Sequence, residues 1–128
     1  MTDQAKAEQI VDSYLCCLSE GDLEGVVALY ADDATVEDPV GSEPITGRAA
    51  IAEFYRGALA MGIKLRRSGA VRLAAGEIVF PFVCASEAMG APMEIEIIDH
   101  FVLNAEGKVQ SMRAFWSEAN IRPMAAEA

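Results

Sequence analysis

The chain has 128 residues, 52% of them hydrophobic, and twenty acidic against ten basic side chains give it a net charge of −10. That is the length of one domain, spanning residues 1–128, too apolar for a disordered chain and too acidic to favour nucleic acid or anionic membrane surfaces as partners. No apolar run approaches the ~18 residues needed to cross a membrane, and the N-terminal stretch lacks a signal peptide's basic-then-apolar pattern, so the sequence reads as soluble and cytoplasmic.

Residues from about Gln4 to Glu20 form an amphipathic helix by their spacing, with Ile10, Tyr14 and Leu18 recurring every four positions beside Val11 and Leu15. Gly21 suits a helix stop, and Asp22 suits the cap of a second short helix reaching Leu29 and Tyr30. An acidic loop, Asp32-Asp33, comes next. Ala34 to Asp38 then reads as a short strand halted by Pro39, with Ala34, Val36 and Asp38 on one face and Thr35 and Glu37 on the other. Gly41, Pro44 and Gly47 mark a loop, and a third helix runs from about Arg48 to Ala60 with Ile51, Phe54, Tyr55 and Ala58 on one stripe.

The remainder reads as strands, about Lys64–Ala74, Glu77–Glu87, Pro92–Asn104 and Lys108–Ser117, joined by hairpin loops that carry Gly76, Gly90 and Gly107. Pro81 inside a strand points to an edge or a bulge, and the residues after about Arg122 are expected to fray. Helices followed by an antiparallel run of strands make an α+β pattern. Three helices cover one face of such a sheet. The other still carries Ile98, Val102 and Phe115, for which a second subunit is the simplest cover.

Asp99 stands out in the third of these strands. Alternate residues share a face, and the row Met93, Ile95, Ile97, Asp99, Phe101 and Leu103 holds one carboxyl among five apolar side chains. Two readings fit: an ion pair with a buried basic group, or a neutral acid whose proton is free to donate. His100 points to the opposite face and reads as structural or interfacial.

Other chemistries find little footing. The three cysteines lack paired spacing and read as small buried groups in a reducing compartment. One histidine rules out His-rich metal sites, and no HExxH, GxSxG, GxGxxG or phosphate loop is present. Carboxylates and tyrosines are left to carry any catalysis. Taken singly, Tyr14 also suits a core tyrosine and Asp38 a turn residue.

Four segments together narrow the choice: Tyr30-Ala31-Asp32-Asp33-Ala34-Thr35-Val36-Glu37-Asp38-Pro39, Gly47-Arg48 leading to Glu53-Phe54-Tyr55, Ile98-Asp99-His100-Phe101, and Ser111-Met112-Arg113-Ala114. From about Val11 to Ile121 the chain resembles the bacterial Δ5-3-ketosteroid isomerases. The resemblance implies a cone-shaped α+β fold like that of nuclear transport factor 2, in which a curved sheet wraps around three helices and encloses an apolar pocket. It also implies a homodimer, a small apolar steroid as substrate, and no metal, nucleotide or organic cofactor.

By the same resemblance Asp38 matches the general base, and Tyr14 matches the tyrosine that hydrogen-bonds the steroid 3-oxo group. Asp99 matches a protonated aspartic acid donating to the same oxygen; the family is itself the established example of a carboxylic acid kept neutral to act as a donor. Tyr30 and Tyr55 match tyrosines that extend the hydrogen-bond chain behind Tyr14. Phe54, Phe82, Phe101, Met112 and Trp116 match positions near the steroid rings. Two alternatives remain open: an epoxide hydrolase or dehydratase on the same fold, or a carrier of apolar ligands without catalysis.

Overall fold

The computed structural model describes residues 2–87 and 92–124. Helix α1 spans Gln4–Glu20. The Asp3 side chain accepts from the Lys6 N–H at its start, and Gly21 ends it in the left-handed region at φ 77°. Its buried stripe runs through Ala7, Ile10, Val11, Tyr14, Leu15 and Leu18, the face that the periodicity selected. Asp22 caps α2 by accepting from the Gly25 N–H. That helix covers only Leu23–Val27, because Tyr30 already belongs to the first strand.

Strand β1 is Tyr30–Glu37, longer than expected, and Asp32 and Asp33 lie within it and not in a loop. They occupy a bulge between Tyr30 and Thr35 and face solvent, which is why their composition mimics a loop. A two-residue strand β2, Ile45–Thr46, pairs with β1 inside the segment expected to be all loop. Helix α3 is Arg48–Leu59 and buries Ile51 and Tyr55 one turn apart.

The expected strand over 64–74 is two strands, β3 (Lys64–Arg67) and β4 (Arg72–Ala74), both paired to β5 (Glu77–Ser86). The break falls opposite Pro81. The Pro81 carbonyl accepts from the Ser68 N–H at 3.0 Å on that side, so its missing N–H faces the same gap. Gly69 crosses there so closely that a Cβ would lie 2.8 Å from Pro81 Cγ. Pro81 therefore marks an interruption in its neighbour, and β5 itself is an interior strand.

Strand β6 is Met93–Leu103 and β7 is Val109–Phe115. A single 3₁₀ turn at Glu118–Asn120 leads to β8, Ile121–Pro123, which the sequence reading missed. It pairs with Met93–Ile95, the half of β6 that β7 leaves unpaired. The Gly90 loop and the residues after Met124 lie outside the described residues.

The sheet order is β2-β1-β7-β6-β5-β3, with β4 on β5 and β8 on β6. Among the described residues all pairings are antiparallel except one: β1 and β7 run parallel, so the sheet is mixed. A parallel pair needs a long crossover, here everything from β2 to β6. The curved sheet wraps around the three helices as a cone-shaped α+β fold, and the core lies between the helices and the concave face. Tyr14, Phe80 and Phe101 meet there edge to face, with ring centroids 5.1–6.0 Å apart. On the convex face Val79, Ile98 and Phe115 stay 40%, 46% and 43% exposed.

Candidate active site

The parallel pairing builds one wall of the site. Val36 and Met112 are partners and point into the core, while Glu37 and Arg113 are partners and point outward. Asp38, one residue beyond the end of β1, therefore turns inward, continuing the row of Ala34 and Val36. Trp116 follows the end of β7. Parallel strands bring their C-terminal ends to the same rim, so two residues 78 positions apart become neighbours. The Trp116 indole N–H donates to Asp38 Oδ1 at 2.8 Å.

The opposite wall comes from helices. Tyr14, midway along α1, and Tyr55, near the end of α3, share a hydrogen bond of 3.0 Å between their hydroxyls. Tyr30, at the start of β1, shares a second one of 2.6 Å with Tyr55. All three rings are buried, and their hydroxyls are hydrogen-bond partners of one another. Arg48 secures the base of this group by donating from Nε and Nη2 to the Tyr30 carbonyl.

Between the walls lies a cavity of about 380 Å³. Tyr14, Asp38, Phe54, Tyr55, Phe82 and Trp116 all line it, so six of the ten residues singled out from the sequence converge there. Tyr30 stands behind Tyr55. Phe101 and Met112 are fully buried and belong to the core behind the wall. Phe101 packs edge-on beneath Tyr14.

Asp99 is 1% exposed, and neither of its carboxyl oxygens has a hydrogen-bond partner among the described residues. Its neighbours across the sheet are Phe80 and Ala114, both apolar. No basic group among the described residues pairs with it, so the ion-pair reading fails there.

Burial sets the charge states. Asp99 is pushed well above the usual carboxylate range, first by desolvation and then by the charge of Asp38, while the Tyr14 hydroxyl acts in the opposite direction. Asp38 is raised too, again by burial, but the indole N–H stabilises its charged form. The carboxyl with a donor ionises first, and its charge then disfavours ionisation of the other. Burial likewise holds Tyr14, Tyr30 and Tyr55 protonated, so they act as hydrogen-bond donors and not as bases.

Several wall residues escaped the sequence reading. Ile95 and Ile97 carried a signal, since they share the row of Asp99. Leu18 carried one as well, one turn beyond Tyr14. The Trp116–Asp38 bond carried none, because nothing local announces a parallel pairing. Cys84 also lines the cavity, its thiol pushed up to about 11 mainly by burial, whereas Cys16 is exposed and not a core group. His100 bonds Glu77 at 2.7 Å on the convex face, away from the cavity. No helix among the described residues is long and apolar enough to cross a membrane.

The arrangement lines an apolar cavity with the Asp38 carboxyl and the Tyr14 and Tyr55 hydroxyls, and buries a second carboxyl, Asp99, outside that lining. The chain is similar to several known proteins. Residues 11–112 match the SnoaL-like domain. Over 117 residues the chain is 41% identical to the steroid Delta-isomerase of Nocardioides simplex, covering 91% of this chain and 94% of that protein. It is 28% identical over 121 residues to the epoxide hydrolase LasB of Streptomyces lasalocidi, covering 91% of this chain but 43% of that one. The solved structure of the epoxide hydrolase/cyclase-like enzyme SalBIII, described for pyran ring formation in polyether salinomycin, superposes with a TM-score of 0.88 at 28% identity, covering 96% of this chain and 99% of that one. The chain therefore belongs to the SnoaL-like domain family and is a relative of steroid Delta-isomerase.

Proposed function

We propose that the protein is a steroid Δ5-isomerase that moves the C5–C6 double bond of a 3-oxo steroid into conjugation with the ketone. Asp38 removes the C4 proton, and the electron pair moves through C3 onto the ketone oxygen as a dienolate. Tyr14 and the neutral Asp99 donate hydrogen bonds to that oxygen. Asp38 then returns the proton to C6, the C4–C5 double bond forms, and the base is regenerated without a metal or cofactor.

The observation that carries this reading is Asp99. A fully buried acid with both oxygens unpartnered costs stability, and an acceptor oxygen beside Tyr14 would relieve that cost. Base catalysis contributes roughly 10²–10⁴-fold, which leaves much of the acceleration to the oxyanion donors. The similarity to steroid Delta-isomerase over nearly the whole of both chains supports the same choice.

The test is to add purified protein to 5-androstene-3,17-dione and follow the ultraviolet absorbance of the conjugated enone. A rise far above the spontaneous rate is expected; no rise would sink the proposal. The likeness to LasB and SalBIII favours a second reading, epoxide opening, with Asp99 protonating the epoxide oxygen and Asp38 activating the nucleophile. Turnover of an epoxide without turnover of the dione would select it.

The exposed Val79, Ile98 and Phe115 further support a homodimer closed across the convex faces. A monomeric mass in sedimentation would refute it.

A further inference from the structure

Strand β1 ends at Glu37, so Asp38 sits where the ladder no longer holds the chain, in a turn containing Pro39 and Gly41. A side chain at such a point can pivot, and a base displaced by ~1 Å loses as much as about 10²-fold in rate. Something must hold the turn.

The backbone supplies two ties. The Val40 N–H donates to the Ala114 carbonyl at 2.8 Å, and the Ser42 N–H donates to the Pro39 carbonyl at 3.0 Å. Glu37 supplies two more, one from each carboxylate oxygen. Oε2 accepts from the Gly41 N–H at 2.8 Å, and Oε1 accepts from Arg113 Nε at 3.0 Å. The guanidinium of Arg113 lies 5.3 Å from the centre of the Phe115 ring, which fixes it from the other side. The side chain beside Asp38 thus bonds forward to the turn and across to β7 at once. The two donors reach different oxygens, and a glutamine offers an acceptor at only one of those two positions.

We propose that Glu37 is a positioning residue for Asp38: with Arg113, its carboxylate locks the turn that aims Asp38 at the substrate and at the Trp116 indole. This rests on the reading of Asp38 as the base. An ordinary surface ion pair would affect stability slightly and turnover not at all. A positioning pair affects turnover through Asp38 and leaves the oxyanion side alone.

The test uses Glu37→Gln, Arg113→Met and the double variant with three readouts: kcat and KM on 5-androstene-3,17-dione, affinity for 2-naphthol, and emission of Trp116. The phenol reports the Tyr14–Asp99 side, and Trp116 is the chain's sole tryptophan, so its emission reports the Asp38 contact without substrate. Each single variant is expected to lower kcat about tenfold, with KM and 2-naphthol affinity within about twofold of the parent. The double variant should be no worse than either single one, and emission should shift in all three. A kcat within twofold of the parent, or 2-naphthol affinity falling in step with kcat, would overturn the proposal. If the parent does not isomerise the dione, the functional reading falls first. Emission then decides the positioning role, and an unchanged spectrum in Glu37→Gln and Arg113→Met overturns it.

Discussion

The acids on the two faces of this sheet behave in opposite ways. On the convex face Glu94 takes Arg66 at 2.9 Å and Arg122 at 3.4 Å, and Glu37 takes Arg113 and the Gly41 N–H. These partners hold both glutamates below the usual carboxylate range. On the concave side Asp38 has one indole N–H, and Asp99 has no partner among the described residues; both are raised by burial. Glu94 and Asp99 lie five residues apart on one strand. The chemical group is nearly the same, and the side of the strand decides whether ionic partners lower its pKa or burial raises it.

The contrast breaks most sharply at the proposed base. Asp38→Asn removes the one inward carboxylate poised to ionise, and kcat on the dione should fall by about 10³-fold or more, while 2-naphthol binding survives. Unchanged turnover would place the base elsewhere. Next in size, Tyr14→Phe and Asp99→Ala should each cost about 2.7–4 kcal/mol in the barrier, read as kcat with little change in KM. A pure KM effect would remove them from the oxyanion role.

Stability against pH sharpens the same contrast without substrate. Between the unfolded aspartate value of about 3.9 and the raised folded one, the native state holds one more proton at Asp99 than the unfolded state. Stability contributed by this site is therefore complete at low pH and is lost as pH rises, by about 1.4 kcal/mol per unit. Urea unfolding at several pH values should show Asp99→Asn lacking that slope relative to the parent. Parallel curves for the two proteins would mean that Asp99 is ionised in the fold.

Trp116→Phe is a smaller perturbation. It deletes the indole donor that stabilises ionised Asp38, so the acid limb of kcat/KM should move to higher pH, and a limb that stays put or moves down would deny the bond a role. The smallest effect belongs outside. Glu94→Gln should leave kcat and the urea midpoint near the parent values, since its partners are solvated arginines; a marked loss of turnover would erase the division between the two faces.

Local pattern made much of the architecture legible. The stripe of α1, the stop at Gly21, the cap at Asp22 and the misplaced carboxyl at Asp99 are all consequences of short-range spacing, because helical and strand periodicities act within a few residues. Asp38 was placed on the inward face by counting from Ala34 and Val36 for the same reason. The errors arose where long-range pairing overrode local composition. Asp32 and Asp33 look like a loop until a bulge carries them along β1. The single strand expected over 64–74 breaks because Pro81, on a neighbouring strand, offers no N–H. Ile121 looks terminal until β6 leaves an edge free for β8.

The residue types for acid–base chemistry, and their allocation to inward or outward rows, were therefore set by the chain alone, since alternation is a property of the backbone. What only the tertiary structure decided is how those rows meet. The parallel β1–β7 pair brings Trp116 to Asp38, and the three-tyrosine chain joins α1, β1 and α3. The absence of a hydrogen-bond partner for Asp99 among the described residues is likewise a property of the packed core, because burial and hydrogen-bond satisfaction depend on every element that surrounds a group.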